Sequence, residues 1–146
     1  MFELGNDGPS ILLAAIDGTD TSMRAGAYAA GLARRQHSRL VILYVRRIST
    51  FMGPGAAEAV RGIAESNDAL SRELRETIQA EAPRLGLDVS FIERTGNPYR
   101  EIVRLATELR VDALIIGAST QAGHRIVGSL ATHLVRDAKW PVIVVP

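Results

Sequence analysis

One stretch of the chain has the residue types and spacing to hold an anion: GASTQAGHRIVGS, from Gly117 to Ser129. It joins an apolar run to a segment of helical spacing, so Gly128-Ser129 falls at a helix start. Backbone N–H groups there lack intrahelical partners, and the helix dipole adds favourable field for negative charge. Glycine lets a ligand approach the main chain closely, and a serine hydroxyl can donate to a phosphate oxygen. Ser129 has a second reading, as an ordinary helix cap. His124 and Arg125 either neutralise phosphate charge or form a solvated loop tip.

Other chemistries find no support. No Gly-x-x-x-x-Gly-Lys-Ser/Thr loop appears, and no Gly-x-Gly-x-x-Gly follows the first apolar run. No Gly-x-Ser-x-Gly elbow is present. The chain has no cysteine, which removes disulfides, thiolate catalysis and thiolate metal sites. His37, His124 and His133 lie on separate segments without metal-ligand spacing, so no metal site is expected. Asp17 and Asp20 read as turn residues, not as an acid/base pair. The expectation is a chain that is not an enzyme, with slow nucleotide hydrolysis as the upper bound. Lys plus Arg is 17 against 16 for Asp plus Glu, which gives no basic excess for nucleic acid. No apolar run nears the roughly 20 residues that cross a bilayer, and MFELGNDGPS has no basic-then-apolar leader pattern. No membrane association and a cytoplasmic location are therefore expected.

The elements that must position these residues alternate. Ile11–Ile16 is a continuous apolar run closed by Asp17-Gly18-Thr19-Asp20, the pattern of a buried strand. Thr21 to His37 has helical spacing at Ala25, Tyr28, Ala29, Leu32 and Ala33, with Thr19, Asp20 and Thr21 all able to cap it. Leu40–Val45 is a second strand, apolar throughout and so covered on both faces. After the Gly53-Pro54-Gly55 loop, a long helix is expected from about Ala57 to Ala82, with Val60, Ile63, Leu70, Leu74 and Ile78 on one stripe. Leu87–Glu93 reads as strand three. Asn97-Pro98 starts a helix running to about Arg110, with Ile102, Val103, Ala106 and Leu109 inward. Ala113–Gly117 is strand four. The last helix carries Leu130, Leu134, Val135 and Ala138 and is stopped by Trp140-Pro141, and Val142–Val145 is strand five. Alternating strands and helices imply an α/β fold, a parallel sheet with helices on both faces. Its crevice belongs at the carboxyl ends of the strands, where the strand order reverses. Residues 1–9 are expected to be a flexible N-terminal segment and 10–146 a single domain.

From about Ser10 to Pro146 the chain resembles the universal stress protein family. The landmarks are Ile16-Asp17-Gly18-Thr19, Leu43-Tyr44-Val45, Gly96-Asn97-Pro98, Gly117, Gly128-Ser129 and Pro141-Val142-Ile143-Val144-Val145-Pro146. The resemblance implies a doubly wound five-stranded parallel sheet of order 3-2-1-4-5, a homodimer through strand 142–145, and adenine-nucleotide binding. The site it implies comprises Ile16, Asp17, Val45, Gly117, Thr120, Gly123, Gly128, Ser129 and Leu130. Within it Asp17 resembles the acidic residue near the ribose, with an N-cap or turn aspartate as the other reading, and Val45 lies where backbone groups meet adenine. ATP-binding relatives follow Gly, two residues, Gly, nine residues, Gly-Ser/Thr. Here Thr120 stands at the middle glycine, and only seven residues, Gln121 to Val127, precede Gly128, with Gly123 as a partial replacement. Fewer backbone donors then reach a terminal phosphate, so ADP or AMP is expected to rival ATP. The leading reading is a dimeric nucleotide-binding stress-response module, and the alternative is a nucleotide-free dimeric interaction scaffold.

Overall fold

The computed structural model describes residues 8–46, 48, 52–119 and 127–146. Nine elements alternate along them: β1 Ile11–Ile16, α1 Asp20–Gln36, β2 Arg39–Arg46, α2 Ala56–Leu85, β3 Val89–Thr95, α3 Pro98–Leu109, β4 Ala113–Gly117, α4 Ser129–Asp137 and β5 Val142–Val145. All strands are parallel and the sheet order is β3-β2-β1-β4-β5. The strand order reverses between β1 and β4, as expected for a doubly wound sheet.

Period-two alternation sorts the central strand between two cores. Leu12, Ala14 and Ile16 of β1 face α1 and α2, together with Ala25, Ala29, Ala33 and Leu74. Leu13 faces α3 and α4, with Ile102, Leu105, Ala106 and Leu134. The alanine stripe of α1 brings that helix close to the sheet, because a methyl group is all that separates the backbones.

Helix ends follow their local chemistry. Of the three candidate caps for α1, Thr19 is the one used: its side chain accepts from Ser22 N. Asn97 caps α3 by accepting from Arg100 N at 3.1 Å, with Pro98 in the first turn. α2 continues past the expected end to Leu85 despite Pro83. A proline in the last turn removes little of the ladder, and Gly86, left-handed at φ 65°, closes it by donating to Ala82 and Pro83 carbonyls. Leu87 N also bonds Ala82 O, so Leu87 belongs to the helix cap, and β3 begins two residues later than expected, at Val89. At its other end β3 runs on to Thr95, which pairs with Arg46.

Three further side-chain expectations shift. Val60 and Ile63 lie on the apolar stripe of α2 yet are each 42% exposed, because nothing in α2 before Ser71 is buried against the sheet. Leu105 joins Ile102 and Ala106 in the α3 core, while Val103 and Leu109 are only partly covered. In α4, Leu134 is buried but Val135 is exposed, and Ala138 is the left-handed cap after the helix ends at Asp137.

Candidate functional site

A cleft of about 740 Å³ lies where β1 and β4 diverge. Its walls come from the carboxyl ends of β1, β2 and β4, the first turns of α1 and α4, the N-terminal half of α2, and Pro98 and Ile102 of α3. It brings together Ile16, Asp17, Val45, Gly117, Gly128, Ser129 and Leu130, seven of the nine expected site residues. Thr120 and Gly123, like His124 and Arg125, lie outside the described residues.

Asp17 is exposed at the end of β1. Its Oδ1 accepts from Thr19 N at 3.0 Å and from Thr19 Oγ1 at 2.6 Å. Those bonds form an Asx-type turn that hands the chain to α1, and Gly18 permits it with φ +87°. The turn reading of Asp17 is thus realised, and the same residue also lines the cleft. Ser22 Oγ accepts from Asp17 N at 3.2 Å, which fixes the strand end against the helix.

Gly117 is required by a contact inside the protein. A Cβ there would stand 2.5 Å from both Thr21 C and Ser22 N, so the first turn of α1 lies directly on β4. Thr21 Oγ1 reinforces this by donating to Ala118 O at 2.6 Å in a buried position. Gly128 has an ordinary φ of −67°, but a Cβ on it would come within 2.9 Å of Ser119 Cβ.

The reading of Ser129 as the helix cap is corrected. Gly128 occupies the cap position and makes no side-chain capping bond, while Ser129 is the first helical residue. The first α4 bond among the described residues is Thr132 N to Gly128 O at 3.0 Å. Preceding N–H groups of an α-helix have no intrahelical acceptor. Gly128 cannot cap through a side chain, and Gly128, Ser129, Leu130 and Ala131 at this helix start line the cleft.

The α2 wall was not foreseen from the sequence. Tyr44 at the end of β2 donates to Asn67 Oδ1 at 2.8 Å, and both line the cleft. Burial pushes the Tyr44 phenol above its ordinary value; Arg46 pulls it the other way, and Glu93, Asp17 and Asp68 push with burial. Behind it Arg46 bridges Asp68 of α2 and Glu93 of β3, and Ser71 donates to Glu93. Polar residues scattered along an apolar strand and a charged helix give no periodic signal, so this latch could not be read from spacing. Among the lining residues described, Asp17 is the only one with a formal charge. No group of three or more potential metal-binding side chains occurs among the described residues.

The family model described as "Universal stress protein family" matches residues 10–146. Universal stress protein MJ0531 of Methanocaldococcus jannaschii is 27% identical over 131 residues, covering 88% of this chain and 77% of the relative. Among solved structures, universal stress protein UspA from Lactobacillus plantarum superposes with TM-score 0.73 at 24% identity, covering 94% of this chain and 97% of that one. A universal stress protein in complex with cAMP gives TM-score 0.69 at 22% identity, with 94% and 97% covered. A universal stress protein family protein from Arabidopsis thaliana with AMP bound gives 0.66 at 19%, with 94% and 91% covered.

Proposed function

The chain belongs to the universal stress protein family, and from that premise we propose that it is a dimeric regulatory module that binds an adenine nucleotide in the β1/β4 cleft. The observation that carries this reading is the start of α4: a helix N-terminus without a side-chain cap, facing a cleft large enough for a nucleotide. Two neighbours of the same fold hold cAMP and AMP. In this reading Ser129 and the N–H groups beside it meet the phosphate, Asp17 meets the ribose hydroxyls, and Ile16, Val45 and Leu130 flank the base and sugar.

Among the described lining residues, the charge favours a nucleotide with few phosphates. Asp17 opposes added negative charge, and the described lining residues supply no cation. AMP or a cyclic monophosphate is therefore expected to bind at least as well as ATP. No nucleophile stands beside a base in the described part of the cleft, so the module is expected to report its ligand to partners and not to turn it over.

Calorimetric titration of nucleotide-stripped protein with ATP, ADP and AMP tests the reading directly. Silence with all three at millimolar concentration would favour the nucleotide-free scaffold, the reading that the Thr120 substitution and shortened loop support. Ser129→Asp sharpens the test. A carboxylate in the first turn stabilises α4 through the dipole, yet it repels a phosphate at the same spot. Thermal stability should hold or rise while nucleotide affinity falls about thirtyfold, a loss of about 2 kcal/mol.

A further inference from the structure

A second cavity, of about 580 Å³, opens beside the first between the starts of α3 and α4. The two share a wall, since Ile48, Pro98, Ser129 and Leu130 line both. Gly96, Asn97, Tyr99 and His133 line only the second. Tyr99 and His133 are stacked, with ring centroids 3.8 Å apart and planes within 1° of parallel. The Tyr99 hydroxyl donates to Asp137, which fixes the tyrosine ring from its far end. His133 itself is exposed.

An anchored pair of flat rings beside an open cavity is a platform on which a planar heterocycle stacks, and such stacking tolerates any base. Ser129 stands at the junction of the cavities, at the start of α4. A ligand matching this arrangement has an anion in its middle and a ring system at each end. We propose that the two cavities together hold a dinucleotide: one adenosine in the β1/β4 cleft, the phosphate bridge at the start of α4, and the second base against His133 and Tyr99. The proposal rests on the nucleotide reading of the first cleft and extends it. Asn97 also lines the second cavity; its Oδ1 caps α3, which leaves its side-chain NH2 as the group that can donate to the edge of a base.

The experiment is a calorimetric comparison of AMP with diadenosine di-, tri- and tetraphosphate, on the native protein and on His133→Ala. Three bridge lengths are used because a linker that cannot span both sites gains nothing. The best dinucleotide should bind at least about tenfold tighter than AMP, the increment of one stacked base. In His133→Ala that ratio should fall to about two, the statistical advantage of carrying two equivalent adenosines. A native ratio of about two or less, or a large ratio that survives His133→Ala, overturns the proposal. If AMP binds and the dinucleotides gain nothing, only the second site fails. If every ligand is silent at millimolar concentration, the nucleotide reading fails with it.

Discussion

At the scale of single residues, the glycines separate packing from ligand binding. Gly117 resembles a ligand-loop glycine in sequence, yet the space it leaves is filled by the backbone of Thr21 and Ser22. Backbone cannot move aside as a flexible side chain can. Gly117→Ala should therefore cost about 2–3 kcal/mol, measured as a lower denaturant midpoint. Gly62 is the control: nothing lies within 4 Å of a Cβ there, and it sits inside α2. Gly62→Ala should stabilise by up to about 1 kcal/mol, by removing the helix penalty of glycine. Tyr44 carries a pH prediction. Burial holds its phenol above the ordinary 10.0, so the folded state keeps a proton that the unfolded chain releases. That stability is fully present below pH 10 and is lost as pH rises from there. Tyr99 acts in the same direction, through its hydrogen bond to Asp137 first and burial second. Urea melts between pH 8 and 11 should show stability falling on the alkaline side, and Tyr44→Phe should make the fall shallower. A steeper fall in Tyr44→Phe would contradict the assignment.

At the scale of elements, α2 divides into an anchored part and an overhang. Leu74 is 5% exposed and lies in the core, while Ile63 lines the cleft without being buried by the sheet. Leu74→Ala should cost about 2–4 kcal/mol. Ile63→Ala should stay within about 0.5 kcal/mol in stability but weaken nucleotide binding, so the two substitutions separate in paired melting and titration experiments. Strands and helix order were legible because burial on both faces leaves long apolar runs, such as Leu40–Val45, and because Gly and Pro punctuate them. The exposure of Val60 and Ile63 was not legible: the stripe is continuous in sequence, and only the length of the neighbouring strands decides where it stops being covered. The same limit hid the Tyr44–Asn67 and Arg46–Asp68–Glu93 contacts, which join residues far apart in sequence. The candidate cleft was legible where it is built of local signals, Asp17 at a strand end and Gly128-Ser129 at a helix start, all of which line it. The packing role of Gly117 was not legible, because the contact with Thr21 and Ser22 joins residues far apart in sequence, although Gly117 does line the cleft as expected.

At the scale of the whole molecule, the sheet ends on an open strand. Among the described residues β5 pairs only with β4, and all four of its residues are half-buried. A short apolar edge invites a second strand, and two copies of this chain can satisfy each other by a closed two-fold pairing. Hydrogen-bond direction shows which groups are available. Leu114 N bonds Pro141 O and Ala118 N bonds Val145 O, so the odd-numbered residues of this segment turn their backbone groups toward β4. In a parallel ladder the residues between them turn theirs to the opposite side. Val142 and Val144 therefore offer the N–H and C=O groups of the open edge. Val144→Pro removes one outward donor and none of the bonds to β4, and proline is tolerated on an edge strand. Light scattering should give a dimer for the native protein at micromolar concentration and a monomer for Val144→Pro. The circular dichroism of the variant should be unchanged, since the β5 side chains packed against the two cores are Val142, Ile143 and Val145 and not Val144. A native monomer would remove the dimer from the proposal. A Val144→Pro dimer as tight as the native one would place the interface on some other surface.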